Sequence, residues 1–157
     1  MKKIFFTMMI MSCVLLGSGC SGTREDNTMP LTDDTLITPS RMNEIADTQW
    51  HLSAMSKNGK KRSLIDNSEV TFSCNTDGRV VGLSSINRYS GNLKLSDNGI
   101  ITWNKAFAMT RMAGPPELMA QETEYMQNLL KTSHIHLKDS MLILVNNDRS
   151  IVMEFDR

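Results

Sequence analysis

Paired cysteines are missing from this sequence. Cys13, Cys20 and Cys74 are too few for a disulfide framework, and no C-x-x-C pair suggests zinc. Excess charge is missing too. Seventeen Lys and Arg balance seventeen Asp and Glu, so no global field draws the chain to nucleic acid. The sequence contains no Gly-x-Ser-x-Gly elbow, no His-Glu-x-x-His and no glycine-rich phosphate loop, so the familiar spacings of hydrolases, zinc proteases and nucleotide binders are absent. No repeat of fixed period occurs, which excludes solenoids and propellers. What remains, at 157 residues with 40% hydrophobic and 22% charged, is the composition of one globular domain. No cofactor and no metal are expected, and the protein is read as a monomer without enzymatic activity.

The N-terminus carries the first positive signal. Lys2 and Lys3 precede an apolar stretch from Ile4 to Leu16, and Gly17, Ser18, Gly19 and Cys20 follow. Charge, a short apolar core and small residues at the cut make an export signal. The alternative is an uncleaved anchor, but the core is shorter than the roughly 20 apolar residues of a span. Leu16-Gly17-Ser18-Gly19-Cys20 resembles a bacterial lipobox, departing from it at Gly17, where Leu, Val or Ile usually stands. The resemblance implies cleavage before Cys20, acyl chains on that cysteine and attachment to the cell envelope. Two or more chains anchor stably where one is marginal. Ser21 suits outer-membrane sorting by analogy with enteric lipoproteins.

Three regions follow: a signal over 1–19, a lipidated start and flexible tether over 20–46, and a folded domain over 47–157. Ser21 to Thr38 is polar and threonine-rich, with no period of 2 or 3.6. Ser40 is placed to cap a short helix with Met42, Ile45 and Ala46 on one side. From Asp47 the pattern is strands and turns. Val70, Phe72 and Cys74 share one face. Asn75-Thr76-Asp77-Gly78 and Ser96-Asp97-Asn98-Gly99 reverse the chain. Met141 to Val145 is a continuous apolar run, as in a strand covered on both faces. One helix interrupts the strands. Pro115 and Pro116 suit its entrance, and Leu118, Met119, Glu122, Tyr125, Met126, Leu129 and Leu130 recur at three- and four-residue steps. Glu122 either edges that stripe or is held by a buried partner. The expected class is α+β, a curved antiparallel sheet forming a partial barrel with one amphipathic helix packed on its concave face.

Two segments carry a family resemblance. Asp77-Gly78-Arg79-Val80-Val81-Gly82-Leu83-Ser84-Ser85-Ile86-Asn87-Arg88-Tyr89-Ser90-Gly91 is one, and Thr110-Arg111-Met112-Ala113-Gly114-Pro115-Pro116 with Glu122 and Leu129 is the other. The second segment continues through Glu117-Leu118-Met119, and both resemble the META domain, the HslJ-like group of bacterial envelope proteins, over roughly Asp47 to Arg157. The resemblance implies a small antiparallel sheet wrapped around a helix. It also implies association with the envelope and with stress or drug tolerance, and it implies no known reaction. Many members carry a cysteine just before the Asn and another after Met-Ala. Here those positions are Ile86 and Gly114, so no role of that pair transfers.

Candidate residues have structural and functional readings. Gly82, Asn87, Tyr89 and Gly91 either line a binding site or, as we prefer, build a strand connection in which Asn87 bonds to backbone and Tyr89 buries its ring with the hydroxyl satisfied. Thr110, Arg111 and Met112 precede the helix. Arg111 is expected to pair with Glu117 or Glu122 rather than to grip an anion. His134 and His136 face one way on a strand and are expected to be exposed, not to bind metal. Cys74 shares an apolar face and is expected to be inert. The methionines beyond Cys20 are scattered, and core filling accounts for them. The partners expected are the membrane, through Cys20, and another envelope component or, alternatively, a hydrophobic ligand held between sheet and helix.

Overall fold

Alternation of apolar and polar residues becomes strand geometry over most of the chain. The computed structural model describes residues 31–104 and 107–157. The expected signal and lipid-bearing Cys20 lie outside these residues. Among the described residues, ten strands and one α-helix follow two short 3₁₀ turns at Asp33–Thr35 and Pro39–Glu44. The strands are β1 (Trp50–Lys57), β2 (Lys60–Ser63), β3 (Thr71–Cys74), β4 (Arg79–Leu83) and β5 (Arg88–Leu95). After them come β6 (Ile101–Trp103), β7 (Ala108–Met109), the helix α1 (Pro116–Leu129), β8 (His134–Lys138), β9 (Met141–Val145) and β10 (Ile151–Asp156).

Every strand pairing among the described residues is antiparallel, in the order β6-β5-β4-β3-β1-β10-β9-β8, with β2 on β1 and β7 on β5. A bulge between Leu52 and Ala54 shifts the register against β10. Such an extra residue bends a strand and increases its twist, and β1 hands over there from β3 on one edge to β2. The sheet curls until its ends meet. Ile101 N donates to Ser133 O at 2.7 Å, and the Trp103 indole N–H donates to Thr132 O at 2.9 Å. The result is a nearly closed barrel, in the expected α+β class.

The expected strand faces are present. Val70, Phe72 and Cys74 point into the core, and Leu142 to Val145 is buried along its whole length. One cluster joins Trp50, Phe72, Tyr89, Leu93, Leu142, Met153 and Phe155 to Tyr125 and Leu129 of α1. The helix thus lies against the inner surface of the curve. Its buried face is Gln121, Glu122, Tyr125, Met126, Asn128 and Leu129. Met119 and Leu130, assigned to the apolar stripe by periodicity, are exposed instead.

The folded unit begins earlier than Asp47. Ile37, Met42 and Ile45 are buried in the main core. Ile37 N donates to Ile135 O at 2.8 Å, and Leu36 bridges His136. The expected flexible tether is therefore corrected over residues 36–45, where three apolar side chains find the barrel wall. Ser40 caps no helix: the 3₁₀ turn starts at Pro39, and Thr38 precedes it with no side-chain cap.

Candidate functional site

The turn between β4 and β5 is where the motif residues gather. Ser84 N donates to Asn87 O at 2.8 Å and closes the turn, with Ser85 in the left-handed region at φ 83°. Left-handed geometry is uncommon for a residue with a Cβ. Ser85 is held there by Ser85 N donating to Glu69 O at 3.1 Å and by Gln121 Nε2 donating to its hydroxyl at 2.8 Å. The turn thereby presents the Asn87 side chain and backbone N–H to the helix.

Glu122 receives them. Its Oε2 accepts from Ser84 Oγ and from Asn87 N, both at 2.9 Å, and its Oε1 accepts from Asn87 Nδ2 at 2.9 Å. The carboxylate is buried with no cation within ion-pair distance among the described residues. Three donors solvate it in place of water. Of the two sequence expectations for Glu122, the buried partner is the one realised.

Asn87 also ties in the segment before the helix. Its Oδ1 accepts from Thr110 Oγ1 at 2.8 Å and Met112 N at 2.7 Å, while its Nδ2 donates to Met112 O at 3.2 Å. One amide therefore joins the β4–β5 turn, α1 and the chain entering α1. The expected bonding of Asn87 to backbone is realised at Met112. Arg111 stands between those two bonded positions, exposed, and it forms no ion pair among the described residues. The expected bridge to Glu117 or Glu122 is thus corrected: the neutral donors of Ser84 and Asn87 already occupy the Glu122 carboxylate.

Tyr89 lies deeper. Its hydroxyl donates to Thr71 O at 2.8 Å and shares a 2.6 Å hydrogen bond with the Tyr125 hydroxyl. Burial pushes both phenols above their ordinary value of 10, and the neighbouring Tyr125 adds to the rise at Tyr89. Gly82 makes room for this pair. A Cβ there would sit 2.1 Å from Thr71 O and 2.6 Å from the Tyr89 ring. At Gly91 a Cβ would strike the Phe107 ring at 2.7 Å. These close approaches are why both positions lack side chains.

The other candidates are separate from this network. Burial pushes the Cys74 thiol up to about 12, so it stays protonated and unreactive at neutral pH. His136 is buried rather than exposed as expected, because the N-terminal segment lies over it. Its Nδ1 shares a 2.9 Å hydrogen bond with Thr35 Oγ1, and burial, with smaller contributions from His134 and Arg149, lowers its pKa to about 4. His134 is half-buried against Ser133. Among the described residues, no three His, Cys, Asp or Glu side chains gather as a metal site would require. Ser84, Gln121 and Tyr125 complete the network and went unrecognised in the sequence. For Gln121 and Tyr125 the available signal was their four-residue spacing on the face of α1 that carries Glu122; Ser84, in the β4–β5 turn, gave none.

Two open grooves flank the network. One, of about 520 Å³, runs over Thr71, Gly82, Arg88, Ser90 and Met109. The other, of about 510 Å³, lies between the segment Phe107–Ala113 and the first turns of α1, with Met119 and Glu122 on its helix side. Hydrogen bonds occupy the polar groups lining the second groove at Asn87, Thr110 and Glu122.

Solved structures share this architecture. A protein from Burkholderia xenovorans, determined by NMR, is 23% identical with a TM-score of 0.63, covering 83% of this chain and 94% of its own. A second NMR structure is 27% identical with a TM-score of 0.54, covering 76% of this chain and 94% of its own. A DUF4847 family protein from Bacteroides vulgatus ATCC 8482, a crystal structure, is 11% identical with a TM-score of 0.51, covering 73% and 94%. The first and third likenesses bear on the fold alone. No curated protein matches the sequence. The model of the META domain matches residues 43–157, a span that takes in the β4–β5 turn, the segment before α1 and the buried carboxylate that joins them; this chain belongs to the META domain family.

Proposed function

We propose that this protein is a non-catalytic, lipid-anchored META domain of the bacterial cell envelope, acting by contact with other envelope components in stress or drug tolerance. The observation that carries the reading is the mutual saturation of the motif. Glu122, Asn87, Ser84, Thr110, Tyr89 and Tyr125 direct their polar atoms at one another and at backbone. A reacting group needs a free lone pair or a labile proton facing substrate. These residues instead fix the segment before α1 against the barrel. The anchor rests on Cys20 and the residues ahead of it.

Cell fractionation with intact-mass measurement tests the reading. Wild-type protein is expected in the membrane fraction with acyl mass at its N-terminus, and Cys20→Ala as an unprocessed or soluble form that loses the stress phenotype. Cys74→Ala and His134→Ala are expected to keep the phenotype. Unchanged fractionation and mass after Cys20→Ala would overturn the anchor, and loss of phenotype in folded His134→Ala would overturn the non-catalytic role.

A carrier of a hydrophobic ligand is the second reading. It is favoured by the groove beside α1, where Phe107, Met109, Met112 and Met119 form apolar walls. Mass spectrometry of an organic extract of the purified protein tests it: a stoichiometric lipid or other apolar molecule supports it, and an empty extract overturns it.

A further inference from the structure

The methionines divide in a way that core filling does not explain. Met42, Met55, Met126 and Met153 are buried. Met141 is half-buried. The remaining described methionines, Met109, Met112 and Met119, are 36%, 55% and 38% exposed, and all three line the groove beside α1. A leucine at each position would supply the same apolar bulk. What methionine adds is a thioether, a neutral, soft and polarizable donor on a flexible stem.

We propose that Met109, Met112 and Met119 form a binding site for a soft monovalent cation, Cu(I) or its analogue Ag(I). Thioether sulfur selects such ions over hard cations, which take carboxylate and carbonyl oxygen. The groove offers no competing hard site. Its one carboxylate, Glu122, is turned to Ser84 and Asn87 by three hydrogen bonds. Among the described residues lining it there is no histidine and no cysteine.

The backbone positions of the three ligands are set by the network already described. Met109 pairs with Tyr89 across β7 and β5. Met112 is bonded to Asn87 through both its N–H and its carbonyl. Met119 lies one helical turn ahead of Glu122, which holds the same Asn87. Three elements thus deliver three thioethers to one groove from fixed anchor points. The exposed side chains keep the freedom to close on an ion. Arg111 lines the same groove and places a positive charge at the rim, where water and salt screen it. That charge separates the proposal from its rival, since an amphipathic anion such as a fatty acid would use Arg111 and would need no sulfur.

Full-length protein in detergent, labelled with ¹³C at the methionine methyls, is titrated with silver nitrate. The methyl signals of Met109, Met112 and Met119 are expected to shift together and saturate as one event, whatever the thiols bind. Those of Met42, Met55, Met126 and Met153 are expected to stay in place. Each single Met→Leu change is expected to weaken binding roughly tenfold or more, the triple change to abolish it with thermal unfolding unaltered, and Arg111→Gln to leave it equal or tighter. Absent or independent shifts of the three methyls overturn the site. So does a pattern in which the triple leucine variant binds as before. Oleate binding that survives the triple change and is lost in Arg111→Gln gives the groove to an amphipathic anion and overturns the metal site.

Discussion

Asn87 donates twice to Glu122, once from its backbone N–H to Oε2 and once from Nδ2 to Oε1, each at 2.9 Å. The pair closes a ring between the β4–β5 turn and α1 without any positive charge. Loss of the carboxylate leaves the Asn87 N–H and one N–H of the Asn87 amide short of an acceptor, while the Ser84 hydroxyl can turn to Asn87 O at 2.8 Å. Each unmet buried donor costs about 1–3 kcal/mol. Glu122→Ala is therefore expected to lose about 3 kcal/mol or more. Glu122→Gln, which turns an NH₂ toward the Asn87 amide, is expected to lose about 1–2 kcal/mol, and Ser84→Ala about 1 kcal/mol. Urea unfolding gives the order, and a Gln variant as unstable as the Ala variant would contradict it.

Tyr89 and Tyr125 are the only two tyrosines in the chain, and both are buried. Their folded pKa values lie above the ordinary 10. The unfolded chain therefore releases these protons first as pH rises. Their contribution to stability is complete below about pH 10 and is lost above it. Tyrosinate absorbance should appear only together with alkaline unfolding, with no separate phase in the native protein. Tyr89→Phe and Tyr125→Phe should each cost about 1–2 kcal/mol, and a double-mutant cycle should show strong coupling, since one 2.6 Å bond serves both hydroxyls.

His136 carries the acid-side dependence. Its folded pKa of about 4 lies below the ordinary 6.5, so the unfolded chain binds more protons between these values. The stabilisation is complete above pH 6.5 and declines as pH falls toward 4 and below, by on the order of 2 kcal/mol. Melting temperature against pH should fall across that window in wild type and flatten in His136→Gln. A wild-type curve already flat from pH 7 to 4.5 would refute the assignment.

Glycine substitutions should rank by what the new methyl meets. At Gly82 it meets the Thr71 carbonyl and the Tyr89 ring, both fixed, and Gly82→Ala should cost about 2 kcal/mol or more. At Gly91 it meets the ring of half-buried Phe107, which can turn aside at smaller cost. At Gly114 it meets the end of Ile86, at 2.4 Å to Cδ1, and a change of the Ile86 χ2 rotamer that swings Cδ1 away should hold the loss under about 1 kcal/mol. Thermal unfolding of the three alanine variants checks the order.

The strands and turns were legible because their signals are local. Period-two alternation at Val70, Phe72 and Cys74 and the turn at Asn75–Gly78 need no distant partner. The helix was legible for the same reason, and its errors have one cause. Counting apolar residues alone assigns Met119 and Leu130 to the core and passes over Gln121 and Asn128, which are buried. The node itself was only half legible. Asn87 and Glu122 stand 35 residues apart, and nothing near either residue reports the other. The same holds for Ile37, whose partner Ile135 lies on β8, and for the three methionines, which share a groove only once Asn87 has folded Met112 back toward β5. Their exposure and the contact of Thr35 with His136 are products of tertiary placement.

The docking of the N-terminal segment has a mechanical consequence. Arg149 Nη2 holds Leu31 O at 3.1 Å, and Ile37 N holds Ile135 O at 2.8 Å. Tension applied to the chain ahead of Leu31 reaches these two clasps before any barrel strand. The first structural event under load is then the release of a leash from Arg149 and β8, with the Asn87–Glu122 ring still shut.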